Sequence, residues 1–452
     1  MGPRGCARAR PSVVARPSVD ARGDGVASVR SIDDARVGLR ARSTAARRTR
    51  GRTFEERLTY STNHDSSEVP LIGKNFRVRR VNPRRVDPRR VSASMPSQCA
   101  ATTLIGAAFC AKRCSSERLA RELAFFPPEP SSYALVERDA NAPITDAPDA
   151  RTASTNARDD FGASSGRFRA VANAAHVPET HAKAFQRVLD EFRVDAATTA
   201  RGNEVVYMAC EPPATRISGA DADDARCGAD ITVVYSHGNA VDAGEIAPFA
   251  RKLSQHLQCR VVTYDYSGYG ESRGEPSVAD TYADVEAVVE AVMRTYALRR
   301  REIILLGQSI GSGPTCHLAS KSEQQFGESF GAVVLVSPLL SALSVVSAEN
   351  AWCTPAKVFK RMDVYKNYQI VKNIKCPILL IHGDRDDVVP ASHGAALWEL
   401  VRKNAKRDDA VLEPYWIHGA GHDDTYERNP AEFVRRLRDV VALVRERFTF
   451  GP

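Results

Sequence analysis

A serine that attacks an acyl carbonyl needs a base beside it and an acid behind that base. The pentapeptide G-x-S-x-G can present such a serine, and it occurs three times: GASSG at 162–166, GESRG at 270–274 and GQSIG at 307–311. Alone the pattern is weak, because glycine and serine are common enough for chance matches. Context separates the three, since the turn that exposes a nucleophile joins a buried strand directly to a helix. Ser164 lies in a polar stretch after Asp159 and Asp160. Ser272 is parted from its strand by SGYG and is followed by Pro276. Only Ser309 follows an apolar strand, EIILLGQS, and opens a helical run, GSGPTCHLAS. Gly307 and Gly311 are small where strand and helix backbones must approach closely. The helix N-terminus there favours developing negative charge.

In this arrangement the acid and then the base follow the serine along the chain. PILLIHGDRDDVVP supplies three acids in the loop leaving a late strand: Asp384, Asp386 and Asp387. EPYWIHGAGHDD supplies His418 and His422. His418 ends the apolar run and reads as a packed strand residue, whereas His422, between Gly421 and Asp423, can aim its ring at the serine. His382 precedes the acids and reads as structural. Oxyanion donors are expected from the Ile310 amide and from the loop SHGNAVDAG, through Asn239 or its neighbour Ala240. His237 reads as bracing that loop. No motif indicates a metal, nucleotide or flavin cofactor.

These residues need a scaffold that alternates buried strands with helices. Apolar, β-branched runs occur at Val205–Ala209, Ile231–Ser236, Arg260–Tyr266, Glu302–Leu306, Ala332–Val336, Pro377–His382 and Pro414–Ile417. Helical patterns lie between and after them, at 244–257, 280–297, 312–320, 393–403 and 431–447. Buried strands separated by helices of this length predict an α/β fold with a doubly wound, mostly parallel sheet and helices on both faces. The catalytic domain is expected over 200–450. Fewer than about 40 residues separate SPLL at Ser337 from the strand at Pro377, which leaves room for a minimal cap only.

The formal charge of +8 is unevenly distributed. Residues 1–94 carry 22 basic and 9 acidic residues, so 95–452 hold an excess of acids and no net charge favouring nucleic acid. The Arg-rich 1–94 shows no amphipathic period and reads as a disordered extension. Two other readings are an organellar transit peptide and an upstream extension with Met95 as an internal start. Residues 136–199 read as a variable linker. Cys210, Cys227, Cys259, Cys316, Cys353 and Cys376 stand apart, in or beside apolar segments, with no C-x-x-C pair, which suggests reduced thiols in an intracellular protein. No window is long and apolar enough for a membrane-spanning helix. Within 95–135, Cys99, Cys110 and Cys114 sit among apolar and basic residues. That composition suits a membrane-surface segment with S-acylated cysteines, or an ordinary helix packed on the domain.

Taken together these segments resemble family 17 of the α/β-hydrolase domain proteins, palmitoyl-protein thioesterases. The resemblance rests on LAFFPPEPSSYAL, SHGNAVDAG, YDYSGYGESRGEPS, IILLGQSIGSGPT, SPLLSAL, IHGDRDDVV and WIHGAGHDD, in order and spacing. It covers roughly 95–448, with the linker longer than usual. The resemblance implies Ser309 as nucleophile, Asp386 as acid and His422 as base. It also implies palmitoylation of the N-terminal cysteines and substrates that are S-palmitoylated membrane proteins. The location implied is the cytoplasmic face of a plasma or endosomal membrane, or an organelle if 1–94 is a transit peptide. This chain has a sparser cysteine cluster than the family pattern, and because one lipid binds only marginally, at least two acylated cysteines are expected. The same triad would also serve a general carboxylesterase or lysophospholipase. A hydrolase-fold binding protein without turnover, and nucleic-acid binding through 1–94, are more remote alternatives.

Overall fold

The computed structural model describes residues 121, 124–138, 166–213, 231–347, 354–404 and 412–449. Among them ten strands form one sheet: β1 (Tyr133–Glu137), β2 (Phe168–Ala172), β3 (Phe192–Thr198), β4 (Glu204–Cys210), β5 (Thr232–Ser236), β6 (Arg260–Tyr264), β7 (Ile303–Gln308), β8 (Ala332–Val336), β9 (Ile378–Gly383) and β10 (Tyr415–Ile417). Their order across the sheet is β1-β2-β3-β4-β6-β5-β7-β8-β9-β10. β1 to β4 are antiparallel, β4 pairs antiparallel with β6, and every pairing from β6 to β10 is parallel. The longer helices are α1 (Glu179–Leu189), α2 (Ala243–Leu257), α3 (Val278–Tyr296), α4 (Ser312–Phe326), α5 (Ala391–Asn404) and α6 (Pro430–Thr449).

The sequence dictates the two-sided packing directly. Side chains alternate across a strand, so a run that is apolar at every position must be covered on both faces. In β7, Ile303 and Leu305 join one core with Val288 and Val292 of α3 and Leu397 of α5. Ile304 and Leu306 face the other way, toward Leu253 of α2 and Leu437 of α6. Helix starts are fixed by short polar side chains: Asp242 accepts from the Glu245 amide at the head of α2, and Ser277 accepts from the Asp280 amide at the head of α3. Because β5, β7, β8, β9 and β10 run parallel and in register, their carboxyl ends share one edge of the sheet. The loops on that edge carry Asn239, Ser309, Asp386 and His422, which is where an open α/β sheet places its ligands.

The parallel part agrees closely with expectation, each strand ending within two residues of its predicted limit. The region expected as linker differs. Residues 166–199 contribute β2, α1 and β3 to the sheet, so ordered structure starts well before residue 200. Phe168, Val194 and Phe185 bury one side of this unit, while Arg169–Asp190 and Arg193–Asp195 ion pairs occupy more polar positions. Residues 124–135, expected within the cysteine-bearing segment, pack on the domain and enter β1. The rest of the expected linker, 139–165, and the whole extension 1–94 lie outside the described residues, as do Cys99, Cys110 and Cys114. Cys210, Cys259, Cys316 and Cys376 are free, buried thiols. No helix among the described residues is long and apolar enough to cross a membrane.

Candidate active site

Ser309 is the first residue of a single 3-10 turn between β7 and α4, with φ +53. That left-handed conformation is strained for a residue with a side chain and is the kind of outlier that clusters at functional sites. Its neighbours make the turn possible. A Cβ on Gly311 would stand 2.2 Å from the Ser236 carbonyl oxygen, and one on Gly307 would stand 2.6 Å from the Gly311 carbonyl oxygen. Backbone cannot yield to a side chain at those distances, so both positions require glycine.

Three side chains from three loops meet here. His422 Nδ1 donates to Asp386 Oδ2 at 2.7 Å, which leaves Nε2 unprotonated to accept from Ser309 Oγ at 2.9 Å. Asp386 is fixed in turn, its Oδ1 accepting from the Val388 and Val389 amides at 3.0 and 2.7 Å. Burial pushes this carboxyl up, but hydrogen bonds from His382 and His422 and the Val389 amide outweigh it and hold the group well below the usual carboxylate range. An ionised acid, a neutral imidazole and a hydroxyl in line can move a proton from Ser309 onto His422 as the oxygen attacks.

The remaining candidates separate cleanly. Asp384 pairs with His418 at 2.8 Å on the surface, and the Asp387 side chain is exposed. His418, expected as a packed strand residue, has a side chain 91% exposed: β10 ends at Ile417 and the chain turns outward. His382 is buried and its Nε2–H donates to the Val389 carbonyl at 2.8 Å, bracing the loop that holds Asp386. His237 is fully buried, its Nδ1–H donating to the Gly238 carbonyl, and burial pulls its pKa down to about 4. Ser272 is buried and accepts the Val206 amide at 2.8 Å, a structural post; Ser164 lies outside the described residues.

Ser309 opens onto a cavity of about 480 Å³. That size falls in the range of small-molecule sites, roughly 300–1,000 Å³. Its wall is mainly apolar and includes Phe126, Val241, Ile246, Leu339, Val345 and Val388. The excursion between β8 and β9 is short and contributes Leu339, Ala342, Val345 and Tyr365, so it forms one side of the cavity. The loop after β5 forms another: a Cβ on Gly238 would sit 4.0 Å from Ser309 Cβ. In that loop the Ala240 amide donates to Asn239 Oδ1 at 3.0 Å. Sequence reasoning did not place Ala124 or Phe126 at this site. The pair of phenylalanines before Pro127 was the available signal, an apolar pair between a basic run and a proline-rich break.

A serine on the turn after a central strand, served by an acid and a histidine from later loops of a mostly parallel sheet, defines a serine hydrolase of the α/β-hydrolase fold. The known proteins agree with that class. Residues 228–373 match the family described as serine aminopeptidase, S33. The α/β-hydrolase domain-containing protein 17C of Xenopus tropicalis is 34% identical over 339 residues, 74% of this chain and 92% of that protein. The human 17C protein is 34% identical over 261 residues, 57% of this chain and 68% of its own. The chain belongs to the α/β-hydrolase domain-containing protein 17 family. Among solved structures, an esterase of Pyrococcus furiosus is 18% identical and covers 57% of this chain and 92% of its own, with a TM-score of 0.43.

Proposed function

We propose that this protein hydrolyses long-chain acyl thioesters, removing palmitoyl groups from cysteines of membrane-associated proteins. The observation that carries the reading is the junction of Ser309 Oγ, held by His422 at 2.9 Å, with an apolar cavity of about 480 Å³. An acyl chain laid along Leu339, Val345 and Val241 gains by leaving water, about 25 cal/mol per Å² of apolar surface. The scissile carbonyl then sits over the serine. The short excursion between β8 and β9 suits a substrate that is itself attached to a protein, because among the described residues no bulky lid stands over the serine.

The reaction follows from the proton path. His422 Nε2 takes the proton of Ser309 as Oγ bonds to the thioester carbon, and Asp386 stabilises the resulting imidazolium. The oxyanion is received by the amides of Ile310 and Asn239; the Ala240 amide is already given to Asn239 Oδ1, which favours Asn239 as the second donor. Collapse breaks the carbon–sulfur bond, and the departing cysteine takes the proton from His422. Water, deprotonated by the same imidazole, then attacks the acyl-serine and releases the fatty acid. No cofactor enters these steps. Acylation of at least two of Cys99, Cys110 and Cys114 would hold the enzyme on the cytoplasmic face of the membrane that carries its substrates.

The test is hydrolysis of acyl thioesters of rising chain length, with Ser309→Ala alongside. Activity climbing toward sixteen carbons and lost in the variant supports the proposal. A preference for short oxygen esters, still dependent on Ser309, leaves a serine esterase and removes the thioesterase reading. For targeting, the triple serine variant of Cys99, Cys110 and Cys114 should leave the membrane fraction; unchanged partition refutes the anchor.

A further inference from the structure

Besides the adjacent Ala240 amide, the side chain of Asn239 binds a distant piece of the chain. Its Nδ2 donates to the Ala124 carbonyl at 2.7 Å, and its Oδ1 accepts the Phe126 amide at 3.1 Å. One side-chain amide thereby satisfies the carbonyl of one residue and the amide two residues on, the pattern a neighbouring strand would offer. The Tyr269 hydroxyl closes the network, donating to Asn239 Oδ1 at 2.6 Å and accepting the same Phe126 amide at 3.0 Å. Phe125, between the two bonded residues, is buried against the edge of the Tyr365 ring. Further along, Asp242 of the same loop takes the Ser132 amide at 2.6 Å. The segment 124–132 is thus fastened to the loop 237–242 at both ends.

We infer that Asn239 is a positioning residue: its side chain uses the segment 124–126 as a brace that sets the loop supplying the oxyanion amide. The inference rests on the reading of Ser309 as nucleophile. The residue type fits the task, because only a carboxamide presents a donor and an acceptor side by side as a peptide group does. An aspartate in its place would turn an acceptor toward the Ala124 carbonyl. The residue's immediate neighbours, Gly238 and Ala240, carry no polar side chain that could hold the backbone there, and Ala240 stands at φ +60. Oxyanion donors act only when held near their position in the transition state, so loosening the brace lowers turnover more than substrate binding.

The experiment compares Asn239→Ala, Asn239→Asp, Tyr269→Phe and Ser309→Ala in the full chain. Three quantities are read: kcat and KM on an acyl thioester, affinity for a trifluoromethyl ketone with the same chain, and the unfolding midpoint. The ketone adds Ser309 Oγ to form a tetrahedral oxyanion, so it reports the hole directly. Both Asn239 variants should lose about 100-fold in kcat with KM changed less than about threefold, and ketone affinity should fall in parallel. Tyr269→Phe should show the same pattern at about fivefold. Wild-type kcat and ketone affinity in the Asn239 and Tyr269 variants, with Ser309→Ala inactive, would overturn this inference and leave the proposed function standing. A rise in KM alone would also overturn it. Full turnover by Ser309→Ala would instead remove the underlying reading. If the Asn239 variants do not fold, Tyr269→Phe decides by the same split.

Discussion

The Asp386 carboxylate holds His422 Nδ1 at 2.7 Å while two successive backbone amides fill its other oxygen. The acid is therefore locked in orientation as well as in charge. Replacing it with asparagine keeps the size but offers His422 the wrong tautomer. Asp386→Asn should lower kcat by about 10⁴-fold. Asp384→Asn, at the exposed pair with His418, should leave kcat within about twofold; equal losses in the two variants would mean that the acid is misassigned. The folded carboxyl titrates below its ordinary 3.8, so its contribution to stability is present above that pH and is lost as pH falls further.

Gly311→Ala tests the close approach of turn and strand. The added methyl would meet the Ser236 carbonyl oxygen at 2.2 Å, which only a backbone shift can relieve. The expected cost is about 1–3 kcal/mol in denaturant unfolding, with activity falling as Ser309 moves off His422. An unchanged unfolding midpoint would show that β5 and β7 are not held as described.

Asp265 gives a pH prediction with a definite sign. Burial, then the nearby Asp242 carboxylate, push its pKa up to about 8, and burial pushes Asp284 up to about 7. An acid with a raised folded value keeps its proton in the fold, so stability falls as pH climbs from 3.8 toward the folded value. Burial also pulls His237 and His317 down to about 4, which makes stability rise with pH up to 6.5. The two effects oppose each other below pH 6.5; above it the carboxyls act in the same direction as His176, whose pKa the Glu245 hydrogen bond raises. The unfolding midpoint should therefore decline between about pH 6.5 and 8, and Asp265→Asn should flatten that decline. Identical slopes in both proteins would contradict the assignment.

Val345→Trp tests the cavity. Indole in the wall beside Leu339 and Val346 shortens the space beyond Ser309. The ratio of kcat/KM for sixteen-carbon over eight-carbon thioesters should fall at least about tenfold, since each buried methylene is worth roughly 0.8 kcal/mol. A ratio unchanged by the tryptophan would place the acyl chain elsewhere.

Most of the parallel sheet was legible because its strands carry their signal locally: TVVYS, AVVLV and ILLIHG are apolar at nearly every position and can only be buried on both faces. Ser309 was legible for the same reason, as the one G-x-S-x-G serine joined to such a strand. β2, α1 and β3 were not. FRAVA and FRVDAAT mix arginine and aspartate with their apolar residues: Arg193 and Asp195 pair within one strand, but Arg169 finds its partner in Asp190, beyond the following helix. The choice between Asp384 and Asp386 likewise depends on where two loops cross, which spacing does not encode. His418 was misread because an apolar run does not show where the strand ends.

Ala124 forms part of the cavity wall, and Cys114 stands ten residues before it in the chain. Ten residues reach at most about 33–36 Å even when fully extended. A lipid on Cys114 would therefore work as a short leash, keeping the mouth of the pocket within one such length of the bilayer surface. With the proposed acylation in place, such a leash would confine the enzyme to a thin shell beside the bilayer, and acylated cysteines held farther out would be beyond its reach.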